Sequence, residues 1–176
     1  MPGRSPYRAY RDRAWNGLSR LLDDVLGRFD TGLHGADALV RLEYVGWACA
    51  EALKLPSWAV LARNAYTPDS LVIIEGVVRG RRRGPRPELP GTLIRRAVEE
   101  QRVIVERASS PDVSLEFSEA LRAAGACAIL VSGAHADDHG FALELIGDPS
   151  SVDLARVASA VRLLTLGAVH GGRRVR

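Results

Sequence analysis

Ala126-Cys127-Ala128-Ile129-Leu130-Val131-Ser132 and Gly140-Phe141-Ala142-Leu143-Glu144-Leu145-Ile146 are two apolar runs, joined by a polar, acidic link over residues 133–139. Each has the length of a strand and is bounded by glycine or polar residues, so the pair reads as two neighbouring strands. On the C-terminal side, Asp148-Pro149-Ser150-Ser151 can start a helix with Ser151 as N-cap. That helix carries Leu154, Val157, Ala158, Val161, Leu164 and Leu166 and ends near Gly171.

Working back toward the N-terminus, residues 114–124 read as a helix stopped by Gly125, with Leu115, Phe117, Leu121 and Ala124 inward. Residues 103–106 are a short strand, and 91–101 a helix with Leu93, Ile94, Ala97 and Val98 on its apolar side. Residues 80–90, full of arginine, proline and glycine, are a loop. Two strands over 58–65 and 71–79 flank a turn at Thr67-Pro68-Asp69. A helix over 36–53 buries Leu39, Leu42, Val45, Cys49 and Leu53, and Pro56 ends it. Trp15, Leu18, Leu22, Val25 and Phe29 recur at steps of three and four, so a further helix precedes it. Its apolar face suits either packing on its own domain or a short dimer seam. Residues 1–12 are a basic arm.

The length of 176 residues suits one domain with an added helix, and 47% hydrophobic with 26% charged residues is an ordinary globular composition. No window is long and apolar enough for a membrane span, and no apolar segment follows the arginine-rich start as a secretory signal requires. The two cysteines, Cys49 and Cys127, lie in apolar segments without a disulfide framework, which points to a cytoplasmic protein. The net charge is only +3, with Lys54 the single lysine. Arginines concentrate over 79–86 and at Arg173, Arg174 and Arg176, whereas residues 111–153 are mostly acidic.

Several stretches resemble the GAF family. Gly91-Thr92-Leu93-Ile94-Arg95-Arg96-Ala97-Val98 is similar to the helix after the second strand of its members, and Gln101-Arg102-Val103-Ile104-Val105 to the strand that follows. Gly125-Ala126-Cys127-Ala128-Ile129-Leu130-Val131 and Gly140-Phe141-Ala142-Leu143-Glu144-Leu145 are similar to its last two strands. The resemblance covers residues 36–171. It implies an α+β fold: a central antiparallel sheet of about five to six strands, helices on both faces and a pocket on one. It divides the chain into a basic arm and N-terminal helix (1–35), a GAF-like domain (36–171) and a basic tail (172–176). It further implies a sensory module that binds a small molecule or a protein partner and dimerises through terminal helices. Members that bind nothing serve as dimer modules. The cyclic-nucleotide pattern, the three-cysteine reductase arrangement and the Cys-His pair of bilin-binding members are absent, and Ser132 stands where members carry proline. The cofactor is therefore unknown. With no kinase, cyclase or helix-turn-helix following, the chain reads as a stand-alone module.

The arginine loop is the strongest local feature. Arg79, Arg81, Arg82, Arg83 and Arg86 offer guanidinium forks for phosphate or carboxylate, so an anionic ligand or an acidic partner suits them. A solvated loop explains them equally. Without GxxxxGK[ST] it is not a P-loop, and without interleaved aromatics nucleic-acid binding is not favoured. Glu75 interrupts an apolar strand and reads either as a ligand for an amine or ribose hydroxyl or as a solvent-facing residue. Glu106 and Arg107 suit a pocket rim or a solvated pair. Cys127, in step with Ile129 and Val131, faces a pocket or a core. Arg95 and Phe117, on the two middle helices, complete the candidate ligand-binding set of Glu75, Arg79, Arg81, Arg82, Arg83, Arg95, Arg107, Phe117 and Cys127. His135 and His139 are four apart around Asp137 and Asp138, but in a turn that spacing guarantees no metal site. No catalytic constellation is visible, so no enzyme is expected.

Overall fold

A computed structural model of the chain describes residues 20, 37–64, 67–77, 86–87, 91–147 and 154–171. Apart from Arg20, the expected arm and N-terminal helix lie outside the described residues, as do Arg79, Arg81, Arg82, Arg83, the Ser151 cap and the basic tail. The described elements run α1 (Ala38–Leu53), β1 (Ser57–Asn64), β2 (Thr67–Val77), α2 (Gly91–Glu99), β3 (Val103–Arg107), α3 (Leu115–Ala123), β4 (Ala128–Ala136), β5 (His139–Gly147) and α4 (Leu154–His170). The strands form one five-stranded sheet in the order β2-β1-β5-β4-β3, antiparallel throughout. The expected α+β architecture, with helices on both faces, is the one observed.

The helix ends follow from their caps. The Asp37 side chain accepts the Val40 N–H at 2.9 Å, and Lys54 closes α1 in the left-handed region at φ 58. Ser114 accepts the Phe117 N–H at the start of α3, and Gly125, at φ 75, turns the chain out of it.

Strand alternation divides the interior in two. Trp58, Val60, Leu130, Leu143 and Leu145 point to a first face, which α1 and α4 cover with Leu42, Val45, Cys49, Leu53, Val157, Val161 and Leu164. The buried Arg41 of α1 ties the helices together by donating its Nε–H to the Ala168 carbonyl of α4. Ala59, Leu61, Ile104, Ile129, Val131, Ala142 and Ile146 point to a second face, where α2 contributes Ala97 and α3 contributes Phe117 and Leu121.

Three expectations are corrected. The link over 133–139 is mostly strand: β4 runs to Ala136 and β5 starts at His139, leaving Asp137-Asp138 as a two-residue turn with Asp137 at φ 52. Gly133 and Ala134 are buried, so their backbone groups continue the ladder. The turn expected at Thr67-Pro68-Asp69 lies within β2, whose register jumps from Arg63↔Leu71 to Asn64↔Thr67 and so absorbs residues 68–70 as an irregularity. Leu115, expected inward, is 70% exposed, because as the first residue after the Ser114 cap it points away from the sheet.

Gly133 fixes the separation of α2 from the sheet. A Cβ there would lie 2.2 Å from the Ala97 backbone, which cannot yield as a side chain would. Gly133→Ala is expected to destabilise the fold by about 1–3 kcal/mol in urea unfolding, as overpacking does. Gly91→Ala, at the start of α2 with nothing within 4 Å of the new carbon, should change stability by no more than about 0.5 kcal/mol.

Candidate functional site

The second face is mainly apolar, with Ser57 and the half-buried Glu106 toward its edges and a carboxylate at its centre. Residues paired across the sheet there form one transverse row: Glu75 on β2, Ala59 on β1, Glu144 on β5, Val131 on β4 and Ile104 on β3. Glu144 is fully buried on the central strand. Buried carboxylates need a partner, and Arg86 supplies it from the connection between β2 and α2. Its Nε–H donates to Oε2 at 2.9 Å, and its Nη2 donates to Oε1 at 2.9 Å and to Oε2 at 2.7 Å. This is a two-pronged, charge-assisted contact, which planar guanidinium and carboxylate groups favour. Pro87 beside it is also buried, so the chain at 86–87 is pressed against this face.

Two opposing effects act on Glu144. Burial pushes its carboxyl up to about 7, against the Arg86 charge and hydrogen bonds that hold it down. Ser57, two residues before Ala59 on the same face of β1, is 1% exposed, and its Oγ has no hydrogen-bond partner among the described residues. The face therefore holds a carboxylate, a guanidinium and an unpaired hydroxyl among small and branched apolar side chains.

The other sequence-derived candidates are dispersed. Glu75 shares the Glu144 row but is exposed. Arg95, on α2, and Arg107, at the end of β3, are exposed, and Glu106 is half-buried. Phe117 is buried, and the half-buried Cys127 packs against the same apolar cluster. Burial pushes the Cys49 thiol up to about 12, which keeps it a neutral core residue. His135 follows the alternation of Gly133, whereas His139 stacks on Phe141 of the opposite face. The two rings diverge, and no group of potential metal ligands occurs among the described residues.

The Arg86–Glu144 contact itself is absent from the candidate set derived from sequence. A signal for it existed: Glu144 interrupts an apolar strand just as Glu75 does, and only burial distinguishes them.

No protein-family model matches the sequence, and no curated protein sequence matches it significantly. Solved structures do match in fold. The N-acylhomoserine-lactone-dependent LuxR-family transcription factor CepR2 from Burkholderia cenocepacia aligns at TM-score 0.59 and 16% identity over 88% of this chain and 92% of that one. The phycoerythrobilin-bound GAF domain of a cyanobacterial phytochrome aligns at TM-score 0.51 and 13% identity, covering 87% and 95%. The chromophore-binding domain of the bacteriophytochrome RpBphP3 from R. palustris aligns at TM-score 0.56 and 13% identity, covering 90% and 64%. The fold is thus of the GAF-like kind, and the LuxR-family transcription factor shares it.

The pair makes stability depend on pH in a definite direction. The folded value of Glu144, about 7, lies above the 4.5 of a free side chain. Its contribution is complete below the unfolded value and is lost as pH rises through the folded one. Arg86→Leu removes the influences that hold the carboxyl down, so this loss should extend to higher pH. The variant is expected to be about 3–5 kcal/mol less stable than wild type in urea unfolding at pH 8, as for a buried pair stripped of one partner. The deficit should shrink at pH 5, where the carboxyl is protonated, and Arg86→Leu with Glu144→Leu should recover most of it.

Proposed function

We propose that this chain is a sensory or regulatory domain that binds a small molecule on the second face of the sheet, between the strands and the α2/α3 layer. The observation that carries this reading is Glu144 with Arg86: a satisfied polar anchor set at the centre of an otherwise apolar face. Small-molecule sites have this make-up, apolar walls with a few placed polar groups. The similar folds support it, since one is lactone-dependent and another is bound to a tetrapyrrole. An anionic ligand was the expectation from the arginine run, but the fork of Arg86 is engaged by Glu144. The remaining arginines of that run lie outside the described residues.

Output through a second copy of the chain is the other half of the proposal. Val40 and Trp47 of α1 are 44% and 51% exposed, and Leu163 of α4 is 60% exposed. All three lie on the helical layer opposite the proposed ligand face. Binding on one side of the sheet would then shift the populations of two packings on the other.

A second reading has its own support. Ala59, Ile129, Val131, Ala142 and Ile146 are no more than 1% exposed, so this face is well filled. A domain that binds no ligand and serves only association would look the same.

Native mass spectrometry of protein purified without refolding separates the two. The sensor reading expects a mass above an integer number of chains, lost in Arg86→Ala with Glu144→Ala. A clean chain mass, with no stabilisation by any metabolite added, contradicts it. Trp47→Glu with Leu163→Glu should convert the dimer to monomer in sedimentation, with stability changed by no more than about 0.5 kcal/mol per exposed site. An unchanged dimer would remove these residues from the interface.

A further inference from the structure

Arg86 and Glu144 differ in what holds them. Glu144 is fully buried midway along β5, which is hydrogen-bonded to β1 on one side and β4 on the other. Arg86 stands outside every helix and strand, and its side chain is 12% exposed. The two partners are therefore unequal in an exchange. An incoming anion that captured Arg86 would leave Glu144 in the interior without a counter-charge, which is strongly unfavourable wherever the carboxyl is ionised. An incoming cation that captured Glu144 would release a guanidinium that already reaches solvent, and the carboxylate would stay paired.

We infer that the α2/α3 face is a self-occupied cation site: it takes a small ligand bearing a guanidinium, amidinium or protonated amine, which displaces Arg86 from Glu144. This rests on the reading of that face as a ligand site and fixes the charge of the ligand. Two further features fit the class. The Ser57 Oγ, without a hydrogen-bond partner among the described residues, is buried on the same face and belongs to the residue paired across β1–β5 with the neighbour-but-one of Glu144, which puts a hydroxyl on the apolar wall beside the carboxylate. Ala59 separates Glu144 from Glu75 in the transverse row, so only a methyl group stands between two carboxylate positions. Leu61, Ile129 and Val131 supply the apolar surround for the rest of the ligand.

Methylguanidinium is the probe, titrated at constant ionic strength into the full-length chain by NMR and calorimetry. In wild type it should perturb the Arg86 Nε–H signal as that side chain leaves Glu144. With the pH held high enough to ionise Glu144 in the variant, Arg86→Ala should bind it at least about tenfold tighter, because the site no longer has to be vacated first. Arg86→Lys keeps a cation but loses the planar fork, and should fall between, which covers the case of a poorly folded alanine variant. Adding Glu144→Gln to Arg86→Ala should abolish binding. Equal affinity in wild type and Arg86→Ala, or binding that survives Glu144→Gln, overturns the inference. If inorganic phosphate or acetate perturbs Arg86 and methylguanidinium does not, the cation class is wrong while the ligand face stands. If no probe perturbs any residue of the face, both fail.

Discussion

A carboxylate at the centre of a sheet covered on both faces must be neutralised where it stands. Glu144 occupies that position, and its requirement for a counter-charge brings Arg86 and the buried Pro87 onto the second face. The contact joins residues 58 apart in sequence, so it also holds residues 86–87 against the sheet. Apolar side chains of similar volume often replace a buried ion pair with little loss of stability. An ion pair there is better explained by something it does than by the stability it gives.

The two faces of the sheet have different characters. The α1/α4 face is a mainly aliphatic core that also buries Arg41 and Ser132, the Oγ of Ser132 being unpartnered like that of Ser57, and Trp58 closes it against Gly46 and Gly76, where a Cβ would collide with the indole. The α2/α3 face is built from smaller residues, with its polar centre and the orphan Ser57 hydroxyl. Close approach of α2 over Gly133 and Gly140 shields one end of this face, and Phe117 and Leu121 of α3 shield the other. Glu144 lies between them.

Much of the fold was legible in the residues. Aliphatic runs at 126–132 and 140–146 placed the central hairpin, and the spacing of Leu42, Val45, Cys49 and Leu53 placed the inward side of α1. The errors fell where backbone pairing outruns composition. Gly133, Ala134 and His135 look like loop residues, yet the ladder carries them as strand because the helices behind bury the backbone. The site was less legible. Glu75 and Glu144 both interrupt an apolar strand, and the sequence gives no reason to prefer either. Strand order decides it: β2 is an edge strand, where Glu75 reaches solvent, and β5 is central, where Glu144 does not. Arg86 was visible only as one arginine of a run, since pairing at a distance of 58 residues leaves no local pattern.

The central claim is that Glu144 is a buried carboxyl held by Arg86 on the α2/α3 face of the sheet. Titration of its side-chain carboxyl resonance by carbon-13 NMR tests that claim most directly. A midpoint near 7, moving upward in Arg86→Leu, is the result predicted from burial opposed by one guanidinium. A midpoint at the ordinary carboxylate value, unchanged in Arg86→Leu, would mean that Glu144 is solvated and unpaired, and would contradict the account.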